Sequence, residues 1–179
     1  MGKRIFLALD VPKTAVVRLK KFYDYRLPVT WTKPENLHVT LLFLGELDEL
    51  QEAQAHVLCE QVCFRHPPVD IEYDQVEAKK YMIWAAVKPN PPLMALQDDL
   101  QRTFAEDESF LDTNFDQSFR PHTNLARAKQ AIAKEIFPAR HMSNIAYRAT
   151  HVVVFESILR PDYPRYLSQD AFELKGIAT

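Results

Sequence analysis

Hydrophobic and polar positions along the chain follow two different periods, which predicts a mixture of strands and helices. Residues 3–9 and 36–45 are apolar runs rich in β-branched and aromatic side chains, as is typical of buried strands. Apolar residues at three- and four-residue spacing predict helices over 12–26, 48–64 and 93–104. Further strands are predicted at 69–74, 81–87, 151–157 and 166–174. The chain is therefore predicted to be an α+β protein.

The predicted elements repeat. A strand, a helix that begins with proline, a loop and a histidine-containing strand occupy 3–44, and the same order recurs in 81–127. Two such units related by a pseudo-twofold axis predict two lobes, each with an antiparallel sheet and helices, and a cleft between them. Neither unit looks able to bury its sheet alone, so we expect residues 1–179 to form a single bilobal domain.

The strand at 36–45 contains a polar pair. His38 and Thr40 are two residues apart, so they project from the same face of the strand. Burying polar groups costs free energy unless hydrogen bonds satisfy them, and such a pair is most often a structural one in the core. A second histidine, His122, stands at the equivalent place in the repeat. The repeat therefore predicts that His38 and His122 face each other across the cleft.

Two facing histidines suit acid–base chemistry. An imidazole titrates near neutrality, so one ring can take a proton from water while the other gives a proton to a departing oxygen. Neighbouring hydroxyl or amide groups can donate hydrogen bonds to an anion between the rings. This arrangement suits in-line displacement at phosphorus without a metal. The sequence contains no glycine-rich phosphate loop and no Gly-x-Ser-x-Gly motif.

Composition restricts the remaining choices. The formal net charge of −2 argues against broad electrostatic binding to nucleic acid or membranes, and no apolar run approaches the roughly 20 residues that span a bilayer. The N-terminal apolar run is too short for a secretory signal, so we expect a cytoplasmic protein. The spacing of Cys59 and Cys63 between His56 and His66 superficially resembles a zinc site. Four ligands on one helix cannot readily surround the ion, so we predict free thiols on a partly exposed helix face, and no metal or other cofactor.

The residues around both histidines resemble a known family. Leu37-His38-Val39-Thr40-Leu41, followed by Phe43-Leu44-Gly45-Glu46, is similar to the first HxTx motif of the 2H phosphoesterase superfamily. The similarity is to its bacterial RNA 2′,3′-cyclic phosphodiesterases, once called 2′–5′ RNA ligases. Arg120-Pro121-His122 and Leu125-Ala126-Arg127 resemble the frame of the second motif. Phe155-Glu156-Ser157 with Leu159 and Tyr166 resembles the C-terminal hairpin of that family.

The resemblance implies a bilobal 2H phosphoesterase fold. It also implies a hydrolase that opens 2′,3′-cyclic phosphates of RNA ends or cyclic nucleotides to 2′-phosphomonoesters, as in RNA processing. Carried over to this chain, His38 becomes the proton donor to the leaving 3′ oxygen and His122 the proton acceptor that activates water. Thr40 becomes a phosphate-binding residue. The sequence itself does not settle which histidine is acid and which is base, and we expect a monomer.

The second motif departs from the family pattern, because His122-Thr123-Asn124 replaces His-x-Thr. Three explanations stay open: Asn124 donates to the phosphate through its NH₂ group, a local bulge brings Thr123 to the phosphate, or the activity is weakened or altered. We favour the Asn124 donor because both flanks of the motif are intact. Arg127 lies at an odd offset from His122, so regular alternation points it away, and its contact to phosphate rests on the family resemblance.

Three aromatic residues, Trp31, Phe43 and Tyr81, are candidates for stacking on a nucleobase, although core packing is the commoner role for such residues. Besides hydrolysis, two other functions remain open. One is 2′–5′ RNA end joining, the reverse chemistry, and the other is an RNA-binding module that has lost catalysis through the change to Asn124.

Overall fold

In the computed structural model, which describes residues 2–111, 113, 115, 118–160 and 164–176, the chain forms two antiparallel sheets and three α-helices. The strands are β1 (Lys3–Asp10), β2 (Thr30–Trp31), β3 (His38–Leu47), β4 (Val69–Lys79), β5 (Met82–Val87), β6 (His122–Arg127), β7 (Arg140–His141), β8 (Ala146–Ala149), β9 (His151–Ile158) and β10 (Arg165–Glu173). The helices are α1 (Lys13–Leu19), α2 (Glu49–Arg65) and α3 (Pro91–Ala105). No helix in these ranges is both long and apolar enough to cross a membrane.

The two sheets correspond to the two predicted lobes. The first has the strand order β10-β9-β1-β3, and the second has the order β2-β6-β5-β4-β7 with β8 paired to β4. Buried side chains from both sheets and all three helices form one continuous core. The predicted α+β fold with two antiparallel sheets is confirmed; that residues 1–179 form a single domain stays a prediction.

The internal repeat is visible in the strand pairing. β1 pairs with β3 so that Asp10 lies opposite His38, and β5 pairs with β6 so that Ala86 lies opposite His122. In both pairs the histidine is the first residue of its strand and lies opposite the end of the strand that precedes a helix. The repeat therefore gives the two histidines equivalent positions in their sheets.

Helix α2 presents a different face to the core from the predicted one. The apolar spacing of Leu50 and Val57 predicts that both face the core, yet Leu50 is 83% exposed and Val57 is also exposed. Cys59 and Cys63 are instead 0% exposed, so the prediction of thiols on a partly exposed face is wrong. The thiols pack with Ala55, Leu58 and Val62 because small and branched side chains fit closely beneath the first sheet. Within the described residues, these thiols belong to no group of three or more histidine, cysteine, aspartate or glutamate side chains that could hold a metal ion.

Several predicted boundaries also change. The first helix ends at Leu19 rather than at residue 26, with one short 3₁₀ turn after it, and Pro12 is its N-cap residue. β3 continues past Gly45, where the sequence predicts an end, because this glycine takes φ +85° at an irregularity in the strand pairing. β5 spans Met82–Val87 and alternates between buried and half-buried residues. The two prolines in 160–164 predict a chain reversal, which falls mostly on residues 161–163, outside the described residues.

Helices α2 and α3 are joined by ion pairs around one carboxylate. Asp99 of α3 accepts from Arg65 Nε at 2.6 Å, from Arg102 at 2.7 Å, and lies 2.8 Å from His66 Nε2. The hydrogen bond from Arg65 is the largest of the effects that hold the pKa of Asp99 well below its usual range. Since α2 packs on the first sheet and α3 reaches β4 of the second, this cluster ties the two lobes together.

Candidate active site

His38 is held in one tautomer by its own backbone. Its Nδ1 lies 2.8 Å from the carbonyl oxygen of Asn36, and a carbonyl only accepts, so Nδ1 carries the hydrogen. In the neutral ring Nε2 is therefore the acceptor, and the Thr40 hydroxyl donates to it at 2.9 Å. The predicted pairing of His38 and Thr40 on one face of the strand is thus present, with Nε2 as the nitrogen left for chemistry.

His122 repeats this arrangement in the second sheet. Its Nδ1 donates to the carbonyl oxygen of Arg120 at 2.7 Å, again two residues earlier in the chain. The indole of Trp84, on the neighbouring strand, stacks on the imidazole with ring centroids 3.7 Å apart and an interplanar angle of 18°. Backbone and indole together fix the ring with Nε2 as its free acceptor.

Aromatic side chains surround His38. The ring centroids of Phe6, Tyr166 and Phe155 lie 4.9, 5.1 and 6.0 Å from that of His38. Burial among these rings lowers the pKa of His38 to about 4 from an ordinary value of 6.5, although the hydrogen bond with Asn36 opposes the shift. Sequence reasoning missed this aromatic shell. The signal for it is Phe6 and Phe155, each inside an apolar run that predicts a buried strand.

The two histidines lie in one electrostatic environment. Besides burial, the charges of His122 and Arg127 lower the pKa of His38, although both residues belong to the other sheet. Burial also lowers the pKa of His122. Strands β3 and β6, which carry the two histidines, contact each other where the two sheets meet. The structure therefore brings His38, Thr40, His122 and Arg127 to one place, as two neutral imidazoles beside a hydroxyl and a cation.

Thr123 does not lie in the cleft. It is 0% exposed, and its hydroxyl is hydrogen bonded to the Tyr73 hydroxyl at 2.6 Å inside the core. The explanation in which a bulge turns Thr123 toward a phosphate is therefore wrong. Regular alternation from His122 through Asn124 is preserved, which points Thr123 to the opposite face of β6.

A bulge does occur two residues later, and it changes the position of Arg127. Trp84 pairs with Asn124 and Ile83 pairs with Ala126, which leaves Leu125 as the extra residue. Leu125 and Ala126 are both buried, so the alternation shifts by one and Arg127 returns to the face of His122. The expectation that alternation points Arg127 away is wrong for this reason. The signal in the sequence is two successive apolar residues before the arginine.

Asn124 lies beside Arg127 on that face. In the amide orientation that satisfies both of its polar atoms, the NH₂ group donates to the carbonyl oxygen of Ala126 at 2.9 Å and the oxygen accepts from Arg127 Nε at 3.2 Å. The polar residue of the second motif thus bonds forward along β6, whereas Thr40 bonds back to its own histidine. The role of Asn124 as a phosphate donor stays a prediction.

The three candidate stacking residues have different surroundings. Trp31 is half-buried and stacks on Tyr23 with centroids 4.4 Å apart, and Tyr81 is exposed with Lys80 over its ring. Phe43 is 59% exposed and contacts Phe6, which in turn contacts His38. Phe43 is therefore the candidate that the aromatic shell connects most directly to the histidine.

The cleft residues are nitrogen and hydroxyl groups rather than a metal-binding set. Within the described ranges no cluster of three or more histidine, cysteine, aspartate or glutamate side chains has the geometry to hold a metal ion. What the arrangement offers is two imidazole Nε2 atoms, one hydroxyl and one guanidinium. The guanidinium and the hydroxyl can bind an anion, and the two imidazoles can take and give a proton on opposite sides of it.

Two sheets that each place one motif histidine in a common cleft define the 2H phosphoesterase class. The family described as the 2′-5′ RNA ligase superfamily matches residues 10–157, and the chain belongs to it. Among its relatives, the Archaeoglobus fulgidus protein named RNA 2′,3′-cyclic phosphodiesterase is 28% identical over 181 residues, which cover 95% of this chain and 99% of that protein. A Thermotoga maritima protein of the same name is 30% identical over 135 residues, 70% of each chain. The predicted family is confirmed.

Solved structures share the fold. A crystal structure of a Thermus thermophilus protein superposes with a TM-score of 0.83 at 22% identity, covering 97% of this chain and 98% of that one. Escherichia coli LigT, solved in complex with 3′-AMP, superposes with a TM-score of 0.78 at 23% identity, covering 97% and 99%. At this level of identity the similarity establishes the bilobal fold.

Proposed function

We propose that this protein hydrolyses 2′,3′-cyclic phosphates, on RNA ends or on nucleotides, to 2′-phosphomonoesters through its two histidines and without a metal. The observation that carries the proposal is the matched fixing of both rings: each Nδ1 donates to a backbone carbonyl two residues earlier, which leaves each Nε2 for the substrate. Family membership supports the reaction class, since relatives that span nearly the whole chain carry the name RNA 2′,3′-cyclic phosphodiesterase.

The step requires opposite protonation states of the two rings. Neutral His122 takes a proton from water at Nε2 while the water oxygen forms a bond to phosphorus. The bond from phosphorus to O3′ breaks in line with the attack, and O3′ receives the proton from Nε2 of protonated His38. The products are a 2′-phosphomonoester and a free 3′ hydroxyl, and the two rings have exchanged protonation states. Each proton transfer contributes on the order of 10²–10⁴-fold in rate.

His38 becomes protonated when the phosphate binds. In the free protein, burial together with the charges of His122 and Arg127 lowers the pKa of His38 to about 4, so the ring is neutral near pH 7. A phosphate monoanion between the rings adds an opposite charge, which raises the pKa of a nearby imidazole. The hydroxyl of Thr40, which donates to Nε2 in the free protein, is then released to donate to a phosphate oxygen.

The remaining cleft residues bind the substrate. Arg127 supplies a guanidinium for the non-bridging phosphate oxygens, where charge concentrates in the transition state. The exposed ring of Phe43 stacks on the terminal base, which suits a single-stranded RNA end. All of these residues come from one chain, so the proposal places a complete site in a monomer.

The test is product identification. The protein is incubated with an oligoribonucleotide that ends in a 2′,3′-cyclic phosphate, in EDTA, and the products are separated and treated with a phosphomonoesterase. The proposal expects a single product, the 2′-phosphate end, formed at the same rate with and without EDTA. A 3′-phosphate product or loss of turnover in EDTA would overturn the mechanism. Ligated oligonucleotides would favour end joining, and binding without turnover would favour an RNA-binding module.

A further inference from the structure

The two motifs use their polar residues differently. In β3 the Thr40 hydroxyl contacts the Nε2 of its own histidine. In β6 the residue at the same offset is Asn124, and in the amide orientation that satisfies both of its polar atoms it bonds to the backbone of Ala126 and the side chain of Arg127. In the second motif, where asparagine stands in place of threonine, the polar side chain therefore bonds to the arginine of its strand and not to the histidine.

Asn124 bridges the bulge at Leu125. Its NH₂ group donates to the carbonyl oxygen of Ala126, on the far side of the extra residue, and its oxygen accepts from Arg127 Nε, one residue further on. A threonine hydroxyl could also donate one bond and accept another, but both would have to meet at a single oxygen close to the backbone, whereas the longer amide carries its donor and its acceptor on two separate atoms. The amide thus fits the local backbone in a way that the expected threonine does not.

The bond to Nε leaves the rest of the guanidinium for a ligand. Arginine carries five N–H donors, and the four on the two Nη atoms are not used by Asn124. In the described part of the chain Arg127 has no carboxylate partner, in contrast to Arg65 and Arg102, which both bind Asp99. Arg127 is exposed at the cleft, and its charge acts on His38 of the opposite sheet. A planar fork held at Nε presents the Nη atoms to an anion in two parallel bonds.

We propose that Asn124 is a positioning residue that fixes the Arg127 guanidinium for the substrate phosphate. The proposal rests on the proposed function and assigns the departure from the family motif a role in this chain. Asn124 acts through Arg127: it restricts the conformations of the arginine side chain before phosphate binds, which lowers the entropy cost of binding.

A double-mutant cycle separates this role from direct contact. We measure inorganic phosphate binding and the KM and kcat for a 2′,3′-cyclic nucleotide in the wild type, Asn124→Ala, Arg127→Ala and the double variant. Asn124→Ala is expected to weaken phosphate binding and raise KM about tenfold, with a smaller effect on kcat, because a hydrogen bond to a charged group is removed. In the Arg127→Ala background, Asn124→Ala is expected to change the phosphate affinity and the KM by less than about twofold. Arg148→Ala, an exposed arginine on β8, is the charge-matched control.

Equal losses in both backgrounds would overturn the proposal, because Asn124 would then contact the phosphate itself. No loss in either background would overturn it as well. Thermal unfolding of each variant identifies losses that come from misfolding, and a measurement on the wild type itself uses a variant only to assign a signal. In the NMR spectrum of the wild type, the Arg127 Nε–H signal, assigned by its absence in Arg127→Lys, is expected to exchange slowly with water.

Rapid exchange of that signal would contradict the bond to Asn124. Asn124→Thr provides the comparison with the family residue, and it is expected to speed the exchange and weaken phosphate binding. If the wild type does not turn over cyclic nucleotides, the proposed function fails. Phosphate binding and the exchange of the arginine signal still decide the role of Asn124 in that case.

Discussion

The two catalytic candidates owe their state to immediate neighbours. Carbonyl oxygens at Asn36 and Arg120 select the tautomer of His38 and His122, and aromatic burial disfavours the charged form of both rings. Neither effect requires a carboxylate partner for either ring. In the proposed mechanism, the neutral resting state and the charged working state of His38 therefore differ by a phosphate bound between the sheets.

NMR titration of the ring protons tests this electrostatic account. In the free protein His38 is expected to titrate near pH 4, and His122 below its ordinary value of 6.5. Arg127→Ala is expected to raise the midpoint of His38, because the positive charge of Arg127 lowers it, whereas Arg148→Ala leaves it unchanged. Saturating inorganic phosphate is expected to raise both midpoints. A His38 midpoint near 6.5 that phosphate does not move would contradict the account.

Burial of His38 also makes folding depend on pH. Because the folded-state pKa is lowered, the unfolded chain binds more protons between pH 6.5 and about 4, so the free energy of unfolding falls as the pH falls through that window. His38→Gln removes this contribution. Urea unfolding at about pH 7 and about pH 4.5 is expected to show a smaller pH-dependent loss in His38→Gln than in the wild type. An equal loss in both proteins would be inconsistent with a depressed pKa.

Strands β3 and β6 each depend on a bulge in the same place. In β3 Leu41 is the extra residue and in β6 it is Leu125, and in both strands the following residue is also buried. The shift returns Phe43 in one sheet and Arg127 in the other to the face of the histidine. One lobe thus presents an aromatic ring and the other a guanidinium at equivalent positions.

A second irregularity in β3 lies at Gly45. Its φ of +85° is unfavourable for residues with a Cβ, although an added Cβ meets no atom within 4 Å. Gly45→Ala is therefore expected to lower the free energy of unfolding by about 1 kcal/mol through backbone strain alone. Denaturant unfolding measures this loss, with Glu46→Ala as the exposed neighbouring control. No loss relative to the control would mean that β3 adopts another register there.

Sequence patterns placed His38, Thr40 and His122 on strands and predicted the main strands and helices in their order along the chain, because alternation and the repeat are properties of local sequence. They could not place Thr123, Arg127 or the buried thiols. Thr123 and Arg127 depend on where the bulge falls, which the pairing with β5 decides. Cys59 and Cys63 depend on which face of α2 meets the first sheet, and small side chains at spacing three to four fit on more than one face. Tertiary contacts decide these positions.

The proposed mechanism requires that the two lobes keep their relative position. Asp99 contributes to this by binding Arg65 and His66, at the end of α2, from its place on α3. Asp99→Asn is expected to lower the free energy of unfolding at pH 7 by about 1–2 kcal/mol, after allowance for the exposed arginines. The exposed neighbour Asp98→Asn is the matched control, and urea unfolding is the measurement.

The sign of the pH effect follows from the lowered pKa of Asp99. The carboxylate stabilises the fold above its unfolded pKa of about 3.9, and this contribution declines as the pH falls below that value and the carboxylate becomes protonated. The difference between the wild type and Asp99→Asn is therefore expected to narrow in acid. A difference that stays constant from about pH 7 to about pH 2 would assign the loss to packing.

The most direct test of the whole account is the turnover of a 2′,3′-cyclic nucleotide in EDTA by His38→Gln and His122→Gln, each measured singly against the wild type. Since each ring transfers a proton in the proposed step, each variant is expected to lose on the order of 100-fold or more in kcat. Both variants are expected to keep the wild-type fold near neutral pH. Wild-type turnover in either variant would contradict the claim that one phosphate reacts between two histidines.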